Sequence, residues 1–576
     1  MAKRKRHEQP TFHTNREKSA TQPTKKVKPT SASSLKSINT TPSTAIVKSA
    51  RIAPANANRE NKDKNQSAIE PVATDNSYSD SISNITIQII AGSYDRVLHG
   101  ITTTIRLGSR RSATIKSEEK GKNENTKNND SIKIDFADSF LFVAHTAAIK
   151  ALALSSPSVT FPGGQQGQKV LLASGSTDER INVYNLSAHP PRIKTLKNGK
   201  NDMEEISSLA RRPIREDLRN REVGVLLHHT GPVTQLAFPT RGKLLSCGED
   251  GTIGVTRTRD WNLLSSIKVP RPKLGTSGEG GVATGGVSGF AVHPSMKVLL
   301  STSRGEKGMR LWNLVTGKKG GMLNFGKDVL GEIGEIGLGR GEASSVVFGT
   351  RRKTDGERNQ EEEFAIVFSR EVVVYGMDSM PRCRILGSNR TAVHRVRYLT
   401  LDETTGESLL VVSTGDGKVI FVDTEEEALV EPTPESEKIR RARQIAHVGG
   451  KGAGVNTRIK DFEMLEVNEE GEKILLLVTA ATDGVIRVWR LRKENLMAAK
   501  EKSRQQKLKL KEGLTEGIHV GEMLGVYETE NRITCLVAFV MIPRPEGLQD
   551  SDDEYEDEEN EKEGSESEDD DKSDDE

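Results

Sequence analysis

One short pattern recurs along this chain and limits what it can fold into. An apolar, β-branched run reaches a polar turn and a second run follows, as in Val170–Gly175, Ser176–Arg180 and Ile181–Leu186. That reads as strand, tight turn, strand, with the turn Asp able to bond nearby backbone N–H groups. The unit occurs at 87–105 around Asp95, 170–186 around Asp178, 243–256 around Asp250, 409–422 around Asp416 and 474–491 around Asp483. It occurs twice more, at 298–314 with the longer turn Ser303–Lys307 and at 364–375 with the turn Ser369–Glu371. Another short strand precedes units two to seven, at 148–154, 233–238, 287–292, 343–348, 393–399 and 458–465. The first unit has none. Arg532–Phe539 (RITCLVAF) has strand alternation and nothing after it to pair with.

Strands at this spacing predict an all-β, seven-bladed β-propeller, closed by the C-terminal strand completing the first blade. Such closure removes exposed sheet edges. Seven blades of about 42 residues need about 294, whereas 85–541 spans 457. The surplus of about 160 falls in polar stretches at 108–135, 188–222, 270–286, 350–363, 425–456 and 492–520, read as insertions on the faces and rim.

The flanks read differently. Residues 1–84 are rich in Ser, Thr, Asn, Lys and Pro without apolar period, and 542–576 are dominated by acids; both are expected to be disordered. The net charge of +2 conceals +10 over residues 1–70 and −16 over 550–576. Two basic clusters, Lys3-Arg4-Lys5-Arg6 and Lys25, Lys26 and Lys28, have the form of nuclear import signals. Ser551, Ser565 and Ser567 each have an acid three residues on, which suits acidophilic kinases; phosphate there would deepen the negative charge.

Other classes are excluded or weakened. No run of about 18 apolar residues could span a membrane, and MAKRKRHEQP is followed by no apolar core of a secretory signal. Cys247, Cys383 and Cys535 are too few and too scattered for a disulfide framework or a CxxC metal site; each reads as a buried thiol. With aromatics at 4%, base-stacking platforms have little material. His228-His229 has no second pair of ligands nearby. Gly449–Gly454 (GGKGAG) lacks the Ser or Thr that follows the Lys of a phosphate-binding loop and precedes a strand, not a helix. No catalytic, cofactor or metal constellation is expected, and no small-molecule substrate.

Arg492–Lys511 carries eight Lys/Arg against two Glu among good helix formers. It reads as a solvated helical insertion or as a basic arm on RNA phosphates. The candidate contacts are Arg492, Lys493, Lys500, Lys502, Arg504, Lys507, Lys509 and Lys511. Lys438, Arg440, Arg441, Arg443 and Lys451 would add to it if they share its face.

Ser176–Leu186 (STDERINVYNL), Thr482–Leu491 (TDGVIRVWRL) and Arg310–Leu314 (RLWNL) resemble WD-repeat units. The resemblance implies a structural hydrogen-bond set of His, Ser/Thr, Trp and turn Asp. It is best matched by His145 with Ser174 and Asp178, and by His229 with Ser246 and Asp250, although Tyr184 and Thr256 stand where Trp is expected. Ile90–Gly100 (IAGSYDRVLHG), Leu226–Thr234 (LLHHTGPVT) and Leu311–Lys319 (LWNLVTGKK) are more distinctive. They resemble the family of the killer-maintenance (Mak) WD-repeat protein and the animal PAK-kinase-interacting protein. That resemblance implies a non-enzymatic nucleolar scaffold in assembly of the large (60S) ribosomal subunit. Its partners would be assembly factors and ribosomal-like proteins of the pre-60S particle, with pre-rRNA as a further contact. The alternative it carries is a regulator that binds and inhibits a PAK-family kinase. The basic arm and acidic tail suit the first reading, since a kinase inhibitor requires neither.

Overall fold

The computed structural model describes residues 84–106, 133–159, 167–191, 217, 219–270, 285–335, 341–352, 360–386, 391–402, 404–431, 438–469, 472–507 and 517–544. The chain divides into Met1–Ser77 and Tyr78–Glu576, and every described residue belongs to the second unit. The import clusters and the tail serines lie outside the described residues.

Seven antiparallel sheets form seven blades. From the ring axis outward, blade 1 holds Ile533–Val540, Asn84–Ser93, Val97–Arg106 and Lys133–Val143. Blade 2 holds Ile149–Leu154, Lys169–Ser176, Ile181–Ser187 and Arg221–Leu226. Blade 3 holds Val233–Thr240, Lys243–Gly248, Thr252–Arg257 and Leu263–Lys268, and blade 4 holds Val287–Val292, Val298–Ser303, Gly308–Asn313 and Lys318–Asn324. Blade 5 holds Ser345–Arg352, Gln360–Val367, Glu371–Gly376 and Pro381–Leu386. Blade 6 holds Val393–Asp402, Glu407–Thr414, Lys418–Asp423 and Arg443–Gly449, and blade 7 holds Ile459–Glu469, Glu472–Ala481, Val485–Arg492 and Glu522–Glu528. The innermost strands meet their neighbours all round the ring.

Closure occurs as the orphan strand predicts. Ile533–Val540 runs antiparallel to the first strand of the chain, with Ile87 opposite Val540 and Ala91 opposite Leu536. Gly92 sits where a Cβ would come within 2.8 Å of both Cys535 Sγ and an Ile149 methyl, so the seam between blades 1 and 2 has no room for a side chain there. Apolar clusters fill the contacts between successive blades. One joins Ile87, Ile89 and Ile101 to Leu476, Val478 and Val488, and another joins Phe421 and Leu409 to Phe462 and Leu477.

Three strands per blade are legible in the sequence; the fourth, outermost strand is not. Leu263–Lys268 exposes five of six residues and Lys318–Asn324 exposes five of seven, so neither has the alternation that marks a half-buried strand. One insertion is corrected on this account: the stretch 425–456 contains the outer strand Arg443–Gly449. The ends of 350–363 likewise belong to strands, Ser345–Arg352 and Gln360–Val367.

Alternating strand direction sorts the connections onto two faces. The turns between second and third strands share one face with the links between blades; it is called the turn face here. First-to-second and third-to-fourth connections lie on the other. All five turn aspartates, Asp95, Asp178, Asp250, Asp416 and Asp483, occupy second-to-third turns. The residue after each of them takes positive φ: Arg96 (70°), Glu179 (71°), Gly251 (79°), Gly417 (81°) and Gly484 (84°). Glycine accepts that conformation without Cβ strain.

Two third-to-fourth insertions fold back onto the preceding blade. Arg440–Arg441, from the blade 6 insertion, pairs in parallel with the outer strand of blade 5. Ile518–His519, from the blade 7 insertion, does the same to blade 6. Each covers a sheet edge whose backbone groups would otherwise be open to another strand.

Candidate interaction surfaces

The side chains that hold the turns come first, because they fix the loops around them. His145 places Nδ1 3.1 Å from the Asp178 carboxylate and Nε2 2.8 Å from Ser174 Oγ. His229 repeats this with Asp250 at 3.0 Å and Ser246 at 2.8 Å. A carboxylate only accepts, so Nδ1 carries the proton and Nε2 accepts from the hydroxyl. Trp312 Nε1 donates to Ser301 (2.8 Å) and Trp489 Nε1 to Thr479 (3.1 Å). The expected four-residue set is therefore divided: blades 2 and 3 keep the His and Asp, blades 4 and 7 the Trp. His228 is not part of it, and among the described residues no cluster of three or more His, Cys, Asp or Glu could hold a metal.

Burial works against the charge of Asp250, but hydrogen bonds from His229, the Thr252 N–H and the Thr252 hydroxyl outweigh it and hold the carboxyl down at about 2. A folded pKa below the unfolded one gives stability that is complete above the unfolded pKa, near 4, and lost as pH falls through 2. Asp250→Asn is expected to cost about 1–3 kcal/mol at pH 6, with the gap from the parent narrowing as pH falls from 4 toward 2. Urea titrations at several pH values measure this; a gap independent of pH would contradict it.

The three cysteines are buried. Desolvation pushes Cys247 and Cys535 up to about 12 and Cys383 higher still, so none is a thiolate nucleophile near neutral pH. Gly449–Gly454 leads from the outer strand of blade 6 to the inner strand of blade 7. It is tied down by Gly450 N–H to Gly417 O (2.8 Å) and by a short 3-10 turn, Lys451–Ala453. It borders a cleft of about 710 Å³ with His447, Trp489 and His519, and no helix follows to orient phosphate as a nucleotide-binding loop does.

The basic segment is a helix over Lys493–Lys507, but its charges are largely committed within the fold. Leu496, Ala499 and Lys500 are buried on one face. Lys500 Nζ lies 2.7 Å from Glu425 and 3.6 Å from Glu407; Arg504 pairs with Glu425 and lies 3.3 Å from Glu427. Lys493 pairs with Glu466 at 2.9 Å, and Arg443 donates to Ser503 O. This corrects the RNA-contact reading for Lys493, Lys500 and Arg504, which face blades 6 and 7. Lys502 is exposed and Arg492 half-buried. The Lys507 side chain, Lys509 and Lys511 lie outside the described residues. Arg440 is likewise engaged, with Glu426 at 2.5 Å, and Lys438 with Asp328 at 2.8 Å.

A different basic surface lies on the turn face, at the mouth of the central channel. The innermost strands of blades 1, 2, 6 and 7 begin there with Ile533, Ile149, Val393 and Ile459, all buried. Arg532 precedes Ile533, Arg458 and Lys460 flank Ile459, Lys150 follows Ile149 and His394 follows Val393. The position after the start is instead a bridging hydroxyl in blades 1, 3 and 4. There Thr534 donates to Ile149 O (2.6 Å), Thr234 to Val287 O (2.8 Å) and Ser288 to Ala343 O (2.9 Å). The cations thus stand where a neutral group can lock neighbouring blades. None of these positions was singled out in the sequence, because the basic residues are up to 382 positions apart in the chain.

Comparison with known proteins agrees with this geometry. A model of the WD domain, G-beta repeat, matches residues 220–255, which contain His229, Ser246 and Asp250. The chain is 24% identical over 401 residues to a p21-activated protein kinase-interacting protein 1-like protein of Danio rerio, covering 70% of this chain and 73% of that one. It is 26% identical over 386 residues to Protein MAK11 of Saccharomyces cerevisiae, covering 63% and 72%. It is 27% identical over 212 residues to Shk1 kinase-binding protein 15 of Schizosaccharomyces pombe, covering 37% and 45%. The chain carries WD repeats and is similar to MAK11 and the PAK-interacting proteins. Within this WD-repeat chain the matched repeat is one of the two that retain His, Ser and Asp together. Both lack the Trp, whose bond to a strand hydroxyl is made instead in blades 4 and 7.

Proposed function

We propose that this WD-repeat propeller is a non-enzymatic scaffold in nucleolar assembly of the large ribosomal subunit, holding assembly factors of the pre-60S particle. The observation that carries the reading is the likeness to MAK11 over 386 residues, joined to a charge layout of basic arm and acidic tail that suits a particle of RNA and basic proteins. A rigid ring offers several surfaces at once and needs no turnover. The clusters Lys3–Arg6 and Lys25, Lys26 and Lys28 would carry it to the nucleus. An RNA contact from this segment would fall to Lys502 on the helix and to Arg492 at the end of the preceding strand.

Depletion is expected to lower free large subunits relative to small ones in sucrose gradients and to accumulate a large-subunit RNA precursor. A normal ratio with no precursor would refute the reading. It would favour the second one, binding and inhibition of a PAK-family kinase, which the printed names of the Danio rerio and Schizosaccharomyces pombe relatives support.

A further inference from the structure

We infer that the turn-face mouth of the channel is a docking site for an extended acidic segment of a partner protein. The first ground is placement. Arg458 and Lys460 flank Ile459, Arg532 precedes Ile533, and Lys150 follows Ile149, on three consecutive inner strands. Those strands are locked side by side: Asp461 Oδ2 accepts from Leu536 N–H (3.1 Å), and Thr534 reaches Ile149 O. The four cations are therefore held together by the ring, on backbone that cannot move them apart.

The second ground is that the group is uncompensated. No carboxylate among the described residues lies within ion-pair distance of Lys150, Arg458, Lys460 or Arg532; Asp95 accepts only the backbone N–H of Arg532. Next to them Arg395 shows what the arrangement accepts, since its guanidinium lies 3.3 Å from the Asp461 carboxylate. Their closeness is visible in their neighbours. Burial, then the charges of Arg458, Arg532 and Lys150, push the Lys460 ammonium below its usual range. Burial, Lys460 and Arg458 bring His394 down to about 4, and its Nε2 is buried without a hydrogen-bond partner. Like charges gathered this way destabilise the ring, and an anion seated among them relieves the repulsion.

The chemistry favours a protein carboxylate over a nucleic acid. Single-stranded nucleic acid is gripped by stacking on aromatic platforms as well as by charge. The exposed ring beside this mouth, Tyr94, lies under the Arg532 guanidinium at 5.5 Å. Lys460 and His394 are half-buried, where a carboxylate on a side-chain arm reaches more readily than a backbone phosphate. The inner strand of blade 1 starts at the mouth and ends on the opposite face, where Ile542 N–H bonds to Ala188 O.

The test uses the full chain and a fluorescein-labelled dodecapeptide of alternating Asp and Glu, followed by anisotropy at low and moderate salt. Binding is expected to weaken about tenfold in Arg458→Glu/Lys460→Glu, and to change less than about twofold in Lys297→Glu/Lys318→Glu on the opposite face. The milder Arg458→Gln/Lys460→Gln keeps the test valid if charge reversal lowers the melting temperature. Carbodiimide coupling should join the peptide to Lys150 or Lys460. Equal losses in both pairs of variants would overturn the proposal. So would a peptide that fails to bind while a uridine dodecamer binds and responds to the mouth variants.

Discussion

Ending the chain before Arg532 is expected to abolish cooperative folding, whereas ending it after Arg544 should leave the melting transition nearly unchanged. The strand Ile533–Val540 buries Ile533, Cys535, Leu536, Val537 and Ala538, in contact with the inner strands of blades 7 and 2 as well as its own blade. At about 1.5–3 kcal/mol for each large apolar side chain, its burial contributes on the order of 5–10 kcal/mol. That is comparable with the whole net stability of a typical domain, about 5–15 kcal/mol. Removing it also opens both the seam at Gly92 and the edge of Asn84–Ser93, leaving two faces that can pair with other chains. Residues beyond Arg544 are predominantly acidic and hold no apolar run. Circular dichroism and calorimetry on the two truncations measure the difference, and similar melting of both would contradict the closure mechanism.

The second large effect concerns the helix Lys493–Lys507. Glu425→Ala should destabilise the ring by about 3–5 kcal/mol, because it leaves Lys500 buried beside a lost partner. Lys500 is 3% exposed and Glu425 5%; Glu407 at 3.6 Å from Lys500 compensates only in part. Adding Lys500→Met to that variant should recover part of the loss, since an apolar chain of similar length suits a site lined by Leu496 and Ala499. Urea midpoints for the parent, the single and the double variant test this. An unchanged midpoint for Glu425→Ala would show that the pair is not buried as described. Neutralising Lys493, Lys500, Lys502 and Arg504 together should likewise act first on stability. A loss of particle association in such a variant would therefore not identify an RNA contact unless folding were shown to be intact.

A second buried acid works the same way between blades. Glu363 is fully buried and accepts from Arg382 (2.5 Å), Tyr398 (3.0 Å) and Thr424 (2.9 Å). Burial raises its carboxyl above the usual range in spite of Arg382. Glu426 extends the network to Arg440, so the folded-back insertion is joined to blade 5 by ion pairs as well as by strand pairing.

The number of blades, the closing strand and all five turn aspartates were legible in the chain, because each depends on local pattern. A strand with one buried face alternates, and a tight turn needs a residue that bonds its own backbone. The His229–Ser246–Asp250 set was legible too, through the resemblance to WD-repeat units. The outermost strands were not, because an exposed strand has no apolar face to write into the sequence. Nor could composition tell how the basic helix spends its charge. Eight cations in 20 residues look like a surface for phosphate until Glu425 and Glu407 arrive from blade 6 and Glu466 from the inner strand of blade 7. The channel mouth is the reverse case. Lys150, His394, Arg458, Lys460 and Arg532 are unremarkable singly, and only the closing of the ring brings them together. Strand pattern is a local property of the chain, but the net field at a surface is a sum over side chains whose distances the tertiary structure alone sets.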